Sequence, residues 1–119
     1  MKLLDSMFSV VGRSNLTFEI AFNENHPIYL AHFPGKPITP GVCIMKLIEE
    51  LVEILMEQGV ALSMAKNVKF LRPIAPSVHT SMTVHFDLLH ETEHLIHARG
   101  VITFEGQICT KFSMEFRKQ

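Results

Sequence analysis

Along most of the chain, apolar and polar residues alternate with period two; only one stretch follows a helical period. Met7 to Arg13 and Leu16 to Phe22 read as two strands joined at Ser14-Asn15, with Phe18, Ile20 and Phe22 alternating against Thr17, Glu19 and Ala21. After a cluster of Pro and Gly from Pro27 to Gly41, Thr39 is a plausible N-cap and Pro40 fits the first helical position, where its missing N–H costs nothing. The spacing predicts a helix to about Gln58 that stops at Gly59. Lys46, Glu49, Glu50, Glu53 and Glu57 share one stripe of it, while Cys43, Ile44, Leu47, Ile48, Leu51 and Leu55 cover most of the rest. Such a helix must be wrapped by other structure over most of its girth.

Strands continue to the end of the chain. Val78, Met82, Val84, Phe86 and Leu88 share one face of the first alternation. Ile96, Ala98, Gly100, Ile102 and Phe104 form the inward set of the next, and Ile108, Thr110, Phe112, Met114 and Phe116 that of the last. Opposite positions are mostly polar, so the sheet is antiparallel and buried on one side. A strand pair, one long buried helix and about four strands make an α+β fold with the sheet curled around the helix.

A length of 119 residues suits one domain spanning residues 1–119. Hydrophobic residues make up 47% and charged ones 19%, as in ordinary globular proteins rather than disordered ones. A net charge of -1 with mixed signs offers no footprint for nucleic acid or an anionic membrane surface. The short apolar stretch near the start is broken by Asp5, unlike a secretory signal, and no eighteen-residue apolar run occurs further along. Cys43 and Cys109 stand isolated, which argues against a disulfide framework and for a reducing, cytoplasmic setting.

The chemistry concentrates in His32-Phe33-Pro34-Gly35-Lys36-Pro37-Ile38-Thr39-Pro40-Gly41-Val42. Its prolines fix φ repeatedly and stiffen the segment, and it feeds a helix N-terminus whose unpaired N–H groups suit a carbonyl oxygen. A histidine ahead of such a terminus is a candidate general base near neutral pH. His79, His85 and His97 fall on outward strand positions expected to be solvated, and His90 and His94 flank a turn at Glu91-Thr92-Glu93. His94 and His97 point to opposite sheet faces and make a poor metal pair, so no metal site is expected. His26 precedes Pro27 in the entry segment, where nothing decides its role.

The run HFPGKPITPGV resembles the His-Phe-Pro-x-x-Pro-x-x-Pro-Gly signature of the 3-hydroxyacyl-acyl carrier protein dehydratases, and Lys69-Phe-Leu-Arg-Pro-Ile-Ala-Pro76 resembles the strand-and-turn segment that comes after their central helix. The likeness covers nearly the whole chain in family order. It implies a hotdog fold, a dimer with active sites at the subunit interface, and dehydration of a 3-hydroxyacyl thioester in fatty-acid or polyketide-like biosynthesis. The acyl group would arrive on the phosphopantetheine of an acyl carrier protein or as an acyl-CoA, and no other cofactor is implied. On that pattern His32 abstracts the C2 proton and the Gly41 N–H polarises the thioester carbonyl. Phe33, Pro40 and Val42 are expected to line the substrate's path, and Lys36, Lys69 and Arg72, as basic residues near the tunnel mouth, are expected to meet an acidic carrier.

The family's acid, a Glu or Asp fourteen residues beyond the histidine, is replaced by Lys46. Lysine lacks carboxyl oxygens and has a reference pKa of about 10.4, so it does not simply stand in. It either donates a proton after substantial tuning or pairs with Glu50 one turn on in the polar stripe. Glu49 and Glu50 sit too far along the helix, where one turn is about 5.4 Å, to take over without a shift of helix or substrate. Three functions compete: an autonomous dehydratase, an impaired acyl-binding subunit paired with an active homologue, and a hotdog thioesterase. His32 favours dehydration over hydrolysis, and Lys46 favours pairing over autonomy.

Overall fold

In the computed structural model, described over residues 2–31 and 35–119, a six-stranded antiparallel sheet of order β1-β2-β4-β5-β6-β3 curls around one long helix. The strands are β1 Phe8–Ser14, β2 Thr17–Phe22, β3 Val60–Phe70, β4 Ser81–Glu91, β5 Leu95–Phe104 and β6 Gln107–Lys118. The helices are α1 Ile28–Ala31, a single turn that the sequence pattern did not reveal, and α2 Gly41–Met56. The hotdog arrangement is the one expected.

The β1-β2 hairpin forms where the alternation places it, with Asn15 at φ 52° in the turn. Phe18 and Ile20 are buried, and Phe22 packs against the core from its edge. On β5, Ile96, Ala98 and Ile102 are buried; on β6, Phe112, Met114 and Phe116 are. Cys43, Ile44, Leu47, Ile48, Glu50, Leu51 and Val52 of α2 are also buried, an arc of about 200° of its circumference at 3.6 residues per turn. One hydrophobic cluster joins this helix to the sheet.

Several expectations need correction. Thr39 does not cap α2: Pro40, in extended conformation at φ -61° and ψ 145°, occupies the N-cap position and makes no side-chain cap bond. Nor does the helix run to Gln58, because Glu57 adopts the left-handed conformation at φ 54° two residues before Gly59. Val78 lies in a turn and is exposed, so β4 begins only at Ser81. Leu88 is turned outward by an irregularity between Phe86 and Leu88, and Leu89 packs against the core instead. A bulge adds one residue to one strand and reverses the facing of the residues beyond it, a change that a strict period of two does not foresee.

The polar stripe of α2 is not a solvated face. Glu50 is buried and accepts hydrogen bonds from the N–H groups of Leu3 at 2.8 Å and Leu4 at 2.7 Å. Glu53 accepts from the Val60 N–H at 3.0 Å. The stripe therefore staples the N-terminal segment and the start of β3 to the helix, satisfying backbone donors that would otherwise be stranded.

Candidate active site at the start of the central helix

The segment entering α2 is held from two sides. Thr39 is buried; its N–H donates to the Ile74 carbonyl at 2.8 Å, and its hydroxyl bonds the Tyr29 hydroxyl at 2.8 Å. That second bond takes the side chain away from capping. Burial raises the Tyr29 pKa above the ordinary phenol value, so the group stays protonated near neutrality. These contacts tie α1 and the turn after β3 to the proline-rich entry.

Pro40 then turns the chain into the helix, its carbonyl accepting from Cys43 N–H at 3.0 Å and Ile44 N–H at 3.1 Å. Among the described residues nothing caps the N–H groups of Gly41 and Val42. They stand at the positive end of a sixteen-residue helix, the place for a carbonyl oxygen gaining negative charge. A cavity of about 270 Å³ opens there, lined by Thr39, Pro40, Gly41, Ile44, Phe70 and Arg72 among others. Ile38 and Pro73 form a wall shared with a neighbouring groove of about 420 Å³ that Lys36, Val78 and His79 border.

Of the residues singled out from sequence, Pro40, Gly41 and Arg72 meet in the smaller cavity. Val42 is exposed beside it. Lys36 borders the neighbouring groove, and Lys69 lies in a third groove with Arg99 and Lys111. His32 and Phe33 lie outside the described residues. His79 is not a solvated strand residue: its Nδ1 accepts the Ala75 N–H at 3.0 Å, and its ring meets Phe104 edge-on at 4.6 Å. His97, also expected in solvent, is partly buried and bonds Glu115 across the β5-β6 ladder.

Lys46 pairs with Glu49 at 2.6 Å, one residue short of the Glu50 partner expected. Glu50 is drawn away by Leu3 and Leu4, and the other Glu49 oxygen accepts the Leu62 N–H at 2.8 Å. The Glu49 hydrogen bond is the main reason the Lys46 pKa is raised, with further help from the Glu50 and Glu53 charges. The ammonium is thus held charged and is a poorer acid than free lysine. The pKa of the Cys43 thiol, three residues away, is pushed up by burial, which disfavours the reactive thiolate.

Sequence reasoning missed Phe70, whose ring edge rests 3.0 Å from where a Cβ on Gly41 would stand. The signal was an aromatic within the Lys69-Phe-Leu-Arg-Pro-Ile-Ala-Pro76 segment, but only the tertiary approach pairs it with a glycine.

Residues 9–109 match the model of the ApeI-like family, described as the ApeI dehydratase. The chain belongs to the ApeI-like dehydratase family. It is similar to the 3-hydroxyacyl-[acyl-carrier-protein] dehydratase FabZ of Yersinia enterocolitica, 34% identical over 105 residues covering 80% of this chain and 60% of that protein. The same enzyme of Rickettsia conorii is 27% identical over 116 residues, 91% of this chain and 74% of the relative. The chain thus spans roughly three fifths to three quarters of these relatives' length. Among solved structures, the dehydratase heterocomplex ApeI:P from Xenorhabdus doucetiae aligns with TM-score 0.60 at 20% identity, over 87% of this chain and 89% of that one. A hypothetical thioesterase with coenzyme A from Streptococcus pneumoniae aligns with TM-score 0.65 at 13% identity, over 94% and 85%. Both share the fold. Among the described residues no helix is long and apolar enough to cross a membrane.

Proposed function

We propose that this chain supplies the base and the carbonyl-binding half of a 3-hydroxyacyl thioester dehydratase site. The observation that carries the reading is the cavity at the α2 N-terminus, where uncapped Gly41 and Val42 N–H groups close the His32-to-Val42 motif of a dehydratase family. His32 takes a proton from C2 while the thioester carbonyl rests on the Gly41 N–H, which stabilises the enolate-like charge. The C3 hydroxyl departs as water once an acid protonates it, leaving a C2–C3 double bond. Phe33, Pro40 and Val42 flank the acyl path. This chemistry needs no cofactor of its own, since the phosphopantetheine belongs to the carrier. Arg72 at the cavity is the best placed of the three basic residues to meet an acidic carrier, with Lys36 and Lys69 further out.

A specific observation favours a paired subunit over an autonomous enzyme. Lys46 is paired with Glu49, both oxygens of Glu49 and of Glu50 are engaged by other donors, and Glu53, which accepts the Val60 N–H, stands seven residues or about 10 Å further along the helix, so none of these α2 carboxylates is placed to replace the missing acid. An interface-shared site allows a second hotdog chain to provide it. The heterocomplex among the structural relatives supports such an arrangement. Hydrolysis by a helix carboxylate meets the same obstacle.

The test is turnover of 3-hydroxyacyl thioesters by the chain alone. We expect a slow rate, abolished by His32→Ala and raised at least about tenfold by Lys46→Glu, since an acid–base group contributes about 10²–10⁴-fold. A fast wild-type rate that Lys46→Glu lowers would show that lysine has a role of its own. Turnover restored by a second hotdog chain, and still dependent on His32, would establish the paired form.

A further inference from the structure

We propose that Phe70 determines which acyl groups the site accepts, by excluding chains that carry a substituent at C2. The proposal rests on the dehydratase reading, which seats the thioester carbonyl on the Gly41 N–H.

Glycine at position 41 is not demanded by backbone conformation, because the positive-φ glycines are Gly35 and Gly106. What crowds the position is a side chain. A Cβ there would meet Phe70 Cε2 and Cζ, both at 3.0 Å, closer than ordinary van der Waals contact. The ring edge is therefore pressed against the peptide that presents the carbonyl-binding N–H. Phe70 is also 48% exposed and absent from the buried core, so packing of the sheet does not account for it. It instead forms a wall of the cavity, with Ile44 and Ile74 on the lining around it.

C2 is bonded directly to the thioester carbonyl carbon, so a carbonyl oxygen on the Gly41 N–H carries C2 to the same wall. An unbranched substrate offers only hydrogens there. A 2-methyl group must displace the ring, although the C2 proton that His32 removes is still present. Selection against C2 branching is thus steric, separate from the acid–base chemistry.

The experiment compares 3-hydroxybutyryl with 2-methyl-3-hydroxybutyryl N-acetylcysteamine thioesters in wild type, Phe70→Leu and Phe70→Ala. In parallel, calorimetry measures binding of butyryl- and 2-methylbutyryl-pantetheine amides. A pocket that resists one extra carbon discriminates by about 10–200-fold, and wild type should prefer the unbranched chain within that range. Phe70→Ala should erase at least about tenfold of the preference in kcat/KM and in binding, with Phe70→Leu between the two. An unchanged ratio in Phe70→Ala, or a wild type that turns over both chains equally, overturns the proposal. So does a Phe70→Ala effect confined to subunit association. If no variant binds or turns over either class, alone or with a second hotdog chain added, the dehydratase reading itself falls, and this inference with it.

Discussion

Lys46 shows how one side chain can be claimed by its surroundings. On a helix, i+3 and i+4 partners are both within reach, so Glu49 and Glu50 compete for the ammonium. Glu50 loses because Leu3 and Leu4 offer its two oxygens backbone N–H donors in a buried setting. The raised Lys46 pKa has a clear sign: its contribution to stability is complete below the unfolded-state pKa and is lost only as pH rises through the higher folded value. Stability should therefore not respond to Lys46 titration anywhere near neutral pH. Glu50 makes the sharper stability prediction. Glu50→Ala strands two N–H donors and removes two charge-assisted bonds, and we expect a loss of about 2–4 kcal/mol in urea denaturation. Lys46→Ala, which breaks a partly exposed pair, should cost well under half of that.

At the scale of elements, the sheet is shaped by a few irregular positions. Gly100 of β5 is buried beside β4: an added Cβ would lie 2.2 Å from the His85 carbonyl oxygen and 2.8 Å from Phe112 Cζ. The ring can rotate, but the carbonyl belongs to a paired strand next to the Phe86/Leu88 irregularity and cannot yield without breaking the ladder. Gly100→Ala is thus expected to cost about 3 kcal/mol or more, at the upper end for overpacking, with the thermal midpoint as the readout. Gly106→Ala adds a useful contrast. Its φ of 79° strains an L residue, yet nothing lies within 4 Å of the new Cβ, so its cost should be the smaller, backbone one.

For the molecule as a whole, the β3 edge of the sheet matters most, the other edge being the shorter β1. β3 ends the sheet with eleven residues paired only on the β6 side. Leu62, Met64 and Leu71 on or beside it are each 36–52% exposed, an apolar border beside the backbone groups that β6 does not pair. Lys66 and Lys69 blunt this edge against indiscriminate pairing. A second hotdog chain laid antiparallel along β3 would satisfy both needs and bring two α2 N-termini into one assembly. Light scattering at micromolar concentration should accordingly report a dimer, and Met64→Lys should shift it toward monomer. A stable wild-type monomer would remove the shared-site proposal.

Much of this architecture is readable from local pattern. The β1-β2 hairpin, the existence of α2, the inward set of β5 and that of β6 from Thr110 onward come from periods of two and 3.6, because a residue's facing depends mainly on its neighbours in an unbroken element. At the irregular start of β6, Cys109 is buried instead of Ile108. The family motif likewise lies in contiguous residues and marks the α2 N-terminus without any knowledge of packing. Other features depend on contacts across long separations, and no local pattern contains them. Thr39 leaves its capping role for Tyr29, ten residues back, and Glu50 turns to Leu3, 47 residues back. Lys46 consequently settles on Glu49, and Gly41 comes to lie against Phe70 of a strand distant in sequence. Each of these positions admits several locally equivalent partners. The choice falls to whichever buried donor, acceptor or ring the folded chain brings alongside, since leaving such a group unsatisfied or overlapping costs more than any local preference supplies.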